Sequence, residues 1–316
     1  MTVVGVDVGG TKVLAGVVEP SGAVARVVRR STPGRLASVG ATEDAVVSAV
    51  VEAAGGAPID AVGVSAAGFV DAAGERVAFA PHLPWRGEAV RARLEDRCGA
   101  PVVLDNDANA AAWAEYTLGA ARGADTAVVV TLGTGIGGGL VVGGRLHRGS
   151  GGMAGEFGHA QVVPDGRPCE CGGRGCWEQY TSGNALLRHA RAAVGTSAGP
   201  LAALCDGDPA ALTGPLVTRA AAEGDDVALH AFEEVGSWLG VGVANLVAAL
   251  DPDVVVIGGG LVAAGDLLLA PARTALRRSL VGASYRTVPD LRPAALGPEA
   301  GMVGAALLAS RPERTR

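Results

Sequence analysis

Aromatic residues and lysine are scarce in this chain. Of 316 residues only 11 are Phe, Trp or Tyr, and Lys12 is the single lysine among 26 basic residues. With so few rings, a bound ligand must be gripped by hydrogen bonds more than by stacking. GC-rich coding accounts for most of the arginine bias, which still leaves the place of that one lysine worth noting. Charge is sparse too: 18% of residues are charged and 49% apolar, so the chain can bury a large core and is not intrinsically disordered. No basic run occurs and the net charge is −6, which gives no electrostatic reason to expect nucleic acid. A long unbroken hydrophobic run is also missing. The longest uncharged stretch, Thr126 to Gly144, has 19 residues, but seven are glycine and split it into two short Val/Leu/Thr-rich runs. Two strands joined by a glycine turn fit it better than one membrane helix, in which each glycine costs about 1 kcal/mol. Met1 to Gly10 carries Asp7 and no basic start, unlike a signal peptide. The expectation is a soluble, cytoplasmic protein.

What is abundant is glycine. The 49 glycines cluster instead of recurring every third position, which excludes collagen. The length suits one large or two medium domains. The opening reads as three strands, Thr2–Val8, Leu14–Glu19 and Ala23–Arg29, with a helix at about Thr42–Ala54 capped by Thr42. Short buried strands follow at Ile59–Ser65 and Pro101–Leu104, then an alanine-rich helix at about Ala108–Leu118. Ala124–Leu132 and Gly139–Val142 read as the glycine-turn hairpin, 145–183 as irregular, and 195–215 as loop and short helix. Further helices are expected at about Asp225–Leu250, Gly265–Val281 and Gly301–Ser310, with a strand at Asp253–Ile257. The hairpin plan of residues 3–18 recurs about 125 residues later in residues 128–142. Two such hairpins, each aiming a glycine turn outward, point to two related lobes around a cleft.

Four features carry chemistry. Gly9-Gly10-Thr11 and Gly133-Thr134-Gly135 can take φ > 0 and bring successive N–H groups to an anion. Each is also a plausible plain hairpin turn, matching neither the Walker A spacing nor the dinucleotide fingerprint; Asp7 before the first turn and Lys12 after it favour phosphate. Leu104-Asp105-Asn106-Asp107-Ala108-Asn109 puts two carboxylates and two amides at a strand end. Asn106 or Asp107 either caps the next helix or, for phosphoryl transfer to an alcohol, supplies the general base; both readings stand. His159, Cys169, Cys171 and Cys176 make a Cys₃His set whose short spacing suits one closed, structural zinc knuckle. A disulfide is the rival, disfavoured where thiols stay reduced. Cys98 and Cys205 read as ordinary buried thiols. Glu156 and Glu178 flank the knuckle, either as surface glutamates or as rigidly held acceptors for a polyhydroxylated substrate.

Together Asp7–Lys12, Leu104–Ala111, Leu132–Gly139, Gly155–His159, the Cys169–Glu178 knuckle and Ile257–Gly260 resemble the sugar kinases of the ROK (repressor, open reading frame, kinase) family over essentially the whole length, nearest its bacterial glucokinase branch. The resemblance implies the α/β, two-lobed actin-like ATPase and sugar kinase (ribonuclease H-like) fold, with duplicated lobes around a cleft. It implies a small lobe of 1–108 plus about 300–316 and a large lobe of about 109–299 carrying the knuckle. It implies ATP-dependent phosphorylation of a hexose 6-hydroxyl, glucose to glucose 6-phosphate first; fructose, mannose or an N-acyl-hexosamine, or a sugar-sensing regulator without turnover, are alternatives, and polyphosphate is an alternative donor. Asp7, Gly9, Gly10, Thr11, Lys12, Gly133, Thr134 and Gly135 would hold ATP phosphates, with Asp7 helping to place Mg²⁺, and Gly258, Gly259 and Gly260 would lie along the adenosine. Asp107 matches the catalytic base and Asn106 the adjoining sugar ligand. Glu156, His159 and Glu178 match binders of sugar hydroxyls, and Gly68 lies near another sugar contact. His159 would serve zinc with one ring nitrogen and sugar with the other. His82 stands where relatives commonly carry Asn, and with Phe69 bears on substrate choice. Family repressors carry an N-terminal helix-turn-helix; with the phosphate turn starting at Val3, none is expected here. A homodimer or homotetramer is implied, with no membrane or nucleic-acid partner.

Overall fold

Alternation in Val3-Val4-Gly5-Val6-Asp7-Val8 gives a strand two unlike faces, and the computed structural model shows what each face meets. It describes residues 1–194 and 199–310. Of the expected features, 195–198 of the 195–215 loop and 311–316 of the small lobe lie outside the described residues. The strands are Val3–Val8 (β1), Lys12–Val18 (β2), Val24–Ser31 (β3), Ala61–Ala66 (β4), Phe69–Val70 (β5), Val77–Phe79 (β6), Val102–Asn106 (β7), Ala127–Leu132 (β8), Ile136–Val142 (β9), Arg145–Leu146 (β10), Val254–Gly258 (β11) and Asp290–Pro293 (β12). The α-helices are Val39–Ala54 (α1), Val90–Cys98 (α2), Asp107–Thr117 (α3), Gly183–Val194 (α4), Pro200–Leu204 (α5), Gly214–Ala222 (α6), Asp226–Leu250 (α7), Asp266–Ser279 (α8) and Ala300–Ser310 (α9).

Ten of the strands form two five-stranded sheets, ordered β3-β2-β1-β4-β7 and β10-β9-β8-β11-β12, and β5 pairs with β6 in a two-stranded one. Each five-stranded sheet reads third, second, first, fourth, fifth in its own chain order. The duplicated hairpin seen in the sequence is thus the first two strands of a duplicated sheet.

Two compact units divide the described residues: 1–129, 138–155 and 295–310 form one, and 130–137, 156–194 and 199–294 the other. Residues 109–129, 138–155 and 295–299 therefore pack with the first unit and not, as the sequence reading had it, with the second. The reason is local. Helix α3 packs on α9, where a Cβ at Gly304 would overlap the Ala110 carbonyl.

In the first unit the even residues of β1, Val4, Val6 and Val8, join Val62, Val64 and the α1 residues Val46, Ala49 and Val50 in one buried cluster. The odd residues face the other way. Gly5 pairs with Gly63 of β4 in parallel register, and α9 lies directly on both: a Cβ at Gly5 would stand 3.0 Å from the Met302 carbonyl carbon, and one at Gly63 2.8 Å from the Ala306 nitrogen. Much of the glycine excess is of this kind, backbone giving room to backbone. Ser38, not Thr42, caps α1, accepting from the Ala41 N–H at 3.1 Å, and Thr42 is buried within the first turn. Glu115 of α3 is buried and accepts from the backbone N–H groups of Ala120, Ala295 and Leu296 at 2.8 to 3.1 Å.

In the second unit α7 is the spine, packed by α8, α4 and α6. Its Phe232, Val235, Leu239, Val243 and Val247 recur at helical spacing and are buried. No helix among the described residues is long and apolar enough to cross a membrane.

Candidate functional site

In the first unit, the β1–β2 turn is closed by the Gly9 N–H donating to the Lys12 carbonyl at 2.9 Å and anchored by the Thr32 hydroxyl donating to the Gly9 carbonyl at 2.7 Å. Neither Gly9 nor Gly10 has positive φ, so left-handed freedom is not why they are glycine. Space is the reason at Gly10, where a Cβ would stand 2.7 Å from the His82 Cβ. His82 sits on a loop that Arg86 ties down, donating to the carbonyls of Ala80, Leu83 and Trp85 while its guanidinium lies 4.3 Å from the Phe79 ring centre.

Asp7 is half-buried, and that desolvation pushes its carboxyl above the ordinary range; the Ser65 hydroxyl, donating to Oδ1 at 2.8 Å, and the charge of Lys12 pull it back. A carboxylate at a strand end is a residue that could hold a divalent cation. Parallel register sets Asp7 beside Ser65 and Ser65 beside Asp105, so one row across β1, β4 and β7 carries two carboxylates with a hydroxyl between them.

One residue further on, β7 runs into α3. Asn106 is the N-cap: its Oδ1 accepts from the N–H groups of Ala108 and Asn109 at 2.9 and 3.0 Å, and its Nδ2 donates to the Gly68 carbonyl at 3.1 Å. Asp107 follows as the first helical residue, with Oδ1 accepting from the Ala108 N–H at 2.9 Å. Of the two cap candidates in the sequence, Asn106 is the N-cap residue. Gly68 is held close against Ala80, a Cβ there standing 2.7 Å from the Ala80 Cβ. Strand β9 starts at Ile136, earlier than the expected Gly139, because the glycines lie within the strand; at Gly139 a Cβ would stand 3.0 Å from the Ala108 carbonyl oxygen of α3.

In the second unit, the β8–β9 turn is closed by the Gly133 N–H donating to the Gly135 carbonyl at 3.0 Å, and the Gly183 N–H reaches the Gly133 carbonyl at 2.8 Å. These glycines also lack positive φ. A Cβ at Gly135 would collide with Glu178 Oε2, so the turn and Glu178 are in contact. Of Gly258, Gly259 and Gly260 only Gly259 is left-handed, at φ +84°, with a Cβ position blocked by the Leu132 backbone.

The knuckle is assembled as the spacing implied. The ligand atoms of His159, Cys169, Cys171 and Cys176 all lie within 4.8 Å of one another. Cys171 and Cys176 Sγ are 3.6 Å apart, and Cys169 Sγ is 3.7 Å from His159 Nδ1. A tetrahedral ion with bonds of about 2.3 Å to sulfur needs edges of about 3.8 Å, so the donor set fits a small four-coordinate cation. Gly172 and Gly175, at φ +91° and +72°, supply the left-handed turns that bring the thiols together. Burial pushes the Cys169 thiol up to about 12 and also raises that of Cys176, while the Gly173 N–H lowers that of Cys171.

The imidazole has two sides. Nδ1 faces the thiols, and Nε2 is 4.0 Å from Glu156 Oε2. Glu178 Oε1 lies 3.1 Å from Cys169 Sγ and 3.7 Å from His159 Nδ1. Burial, ahead of the attraction of His159 and the repulsion of Glu178, raises the Glu156 carboxyl. Trp177 locks this corner: its indole N–H donates to the Trp238 carbonyl at 2.8 Å, and its ring fills a notch in α7 where Gly242 has no side chain. Cys205 is buried, whereas Cys98 is only partly so.

Sequence reading overlooked Ser65, Arg148 and Trp177. Arg148 donates from Nε and Nη2 to Asp105 Oδ2 at 2.9 and 2.5 Å. The parity shared by Val-Gly-Val-Asp-Val in β1 and Val-Gly-Val-Ser-Ala in β4 was the available signal for Ser65.

A duplicated five-stranded α/β fold with paired glycine turns, a buried acidic strand end and a carboxylate at the head of a helix defines the actin-like ATPase and sugar kinase class. The model of the ROK family matches residues 3–312, and the chain belongs to that family. It is 45% identical over 313 residues to the glucokinase of Streptomyces coelicolor, covering 98% of each. Among solved structures it is similar to a ROK family glucokinase from Streptomyces griseus in complex with glucose and AMPPNP, with a TM-score of 0.89 and 44% identity, covering 98% of this chain and 100% of that one. The ROK hexokinase of Thermus thermophilus matches with a TM-score of 0.82 and 37% identity, covering 98% of both.

Proposed function

We propose that the protein is an ATP-dependent glucokinase that transfers the γ-phosphoryl group to the 6-hydroxyl of glucose. The observation that carries the reading is Asp107, a carboxylate at the first position of α3 beside the amide of Asn106, in a chain 44% identical to a relative solved with glucose and AMPPNP. In this reading Asp107 accepts the proton of the 6-hydroxyl as that oxygen forms its bond to the γ-phosphorus. The bond from phosphorus to the β,γ-bridging oxygen breaks, and ADP leaves with that electron pair. Asn106, Gly68, Glu156, His159 and Glu178 are the proposed sugar contacts, His159 through Nε2.

The amides of Gly9, Gly10, Thr11, Gly133, Thr134 and Gly135, with Lys12, are proposed to meet the phosphates and neutralise charge in the transition state. Gly258, Gly259 and Gly260 would lie along the adenosine. Mg²⁺, when bound near Asp7, supplies charge neutralisation at the phosphoryl oxygens. Zinc is the proposed ion of the knuckle, since three thiolates and an imidazole form a closed set that leaves no open catalytic position; its part is to hold Glu178 and the His159 ring in place. Cytoplasmic residence and a homodimer or homotetramer complete the reading, the latter checked by light scattering.

The test is Asp107→Ala. A folded variant should lose about 10²–10⁴-fold in kcat with glucose and ATP, and one that retains near-normal turnover overturns the assignment. A panel of glucose, mannose, fructose and N-acyl-hexosamines, each with ATP and with polyphosphate, ranks the substrates by kcat/KM; glucose with ATP should lead.

A further inference from the structure

Asp105 is 3% exposed at its side chain and stands in the same strand-end row as Asp7, with Ser65 between them. Ser65 gives its hydroxyl to Asp7, so Asp105 must find its partners elsewhere. Arg148, 15% exposed, supplies two N–H groups to Oδ2. That leaves Oδ1 to accept from Asn109 Nδ2 at 3.0 Å and from the Asn106 N–H at 2.8 Å. Asn109 is buried, and among the described residues its Oδ1 has no hydrogen-bond partner, so the amide is oriented by its bond to Asp105.

These bonds converge on one stretch of backbone. Asn106 and Asn109 bracket Asp107 in sequence, Asn106 caps the helix that Asp107 begins, and both are tied to the carboxylate that Arg148 holds. We infer that Arg148 is a positioning residue: by clamping Asp105 it fixes, through Asn106 and Asn109, the start of α3 that carries Asp107. The inference rests on the reading of Asp107 as the base. The first glycine turn and Asp7 are held by Thr32 and Ser65 instead, so the effect of Arg148 falls on the acceptor sugar and on turnover, not on the nucleotide. Both N–H groups go to one oxygen, so a lysine, which reaches it with a single N–H, should keep part of the function.

The experiment is steady-state kinetics with glucose and ATP for Arg148→Met, Arg148→Lys, Asp105→Asn and the double variant Arg148→Met/Asp105→Asn, alongside wild type and Asp107→Ala. A displacement of about 1 Å at a reacting group costs up to about 100-fold, so Arg148→Met should lose about 10–100-fold in kcat. Its glucose KM should rise several-fold while the ATP KM stays within about twofold. Arg148→Lys should fall between it and wild type, and the double variant should be no worse than the poorer single one, because the two residues act as a unit. A merely structural role would lower the amount of active enzyme and leave both KM values alone. Wild-type kcat and glucose KM in folded Arg148→Met, or in Asp105→Asn where Arg148→Met does not fold, overturn the inference while Asp107→Ala stays inactive. Turnover by Asp107→Ala overturns the functional reading instead, and the inference with it.

Discussion

Gly242 lies inside α7, where helix propensity alone favours Ala over Gly by about 0.8–1.0 kcal/mol. The structure reverses that sign. A Cβ at this position would fall within the indole of Trp177, a side chain only 1% exposed whose N–H donates to the Trp238 carbonyl. Accommodating the methyl means moving the ring. Overpacking costs about 1–3 kcal/mol, and a buried N–H pulled off its acceptor about 1–3 more. After the propensity gain, Gly242→Ala should be destabilised by about 3 kcal/mol, or about 6–12 °C in Tm for a domain of this size. Trp177 lies between Cys176 and Glu178, so bound metal per chain should fall and the glucose KM should rise in the same variant. Gly40 is the control: it lies in α1, and a Cβ there would meet nothing within 4 Å, so Gly40→Ala should raise Tm by a few degrees. Thermal melts with metal quantified by elemental analysis decide the matter. A Gly242→Ala protein that melts at or above wild type would refute the reasoning.

Asp7→Asn should stabilise the ligand-free protein at neutral pH while abolishing activity. Burial raises the folded-state pKa of Asp7 above the unfolded value, so the ionised form costs stability above that pKa. The gain on neutralising the group should therefore shrink as pH falls toward about 4; melts from pH 4 to 8 check it, and a gain that grows on acidification contradicts it. Glu115→Ala should cost about 3–5 kcal/mol, because three backbone N–H groups lose their acceptor, and Glu115→Gln should cost clearly less in denaturant melts. The protein as isolated should carry about one zinc per chain, and a chelator should release it, lower Tm and expose Cys169, Cys171 and Cys176 to thiol reagents. Release should come more readily at lower pH, since protons compete for the thiolates.

The candidate site was legible where chemistry is local. Cys169, Cys171 and Cys176 fall within eight residues and His159 close before them, so short spacing and left-handed glycines bring the donors together with little help from the rest of the fold. Asp7, Asn106 and Asp107 were legible as polar residues at strand ends, an expensive place for them. Thr42 was misread as a cap because Ser38, three residues before Ala41, offers the same hydroxyl chemistry at a better register. Gly137 and Gly138 looked like turn but lie in β9; the earlier start of that strand was not legible, because the α3 backbone that presses on Gly139 is built from residues about 30 positions earlier.

By itself, then, the sequence determined eight of the twelve strands among the described residues, the duplicated hairpins, the Cys₃His cluster and the identity of the acidic strand ends, because each depends on alternation, spacing or turn chemistry within a few residues. Tertiary structure alone decided which glycines make room for α9, α3 or Trp177, and it alone brought Ser65 to Asp7 and Arg148 to Asp105. Those pairings join residues about 40 to 60 positions apart, and no local pattern encodes which backbone will press against a bare Cα or which guanidinium will meet a buried carboxylate. That is settled only when sheet register and helix packing put them face to face.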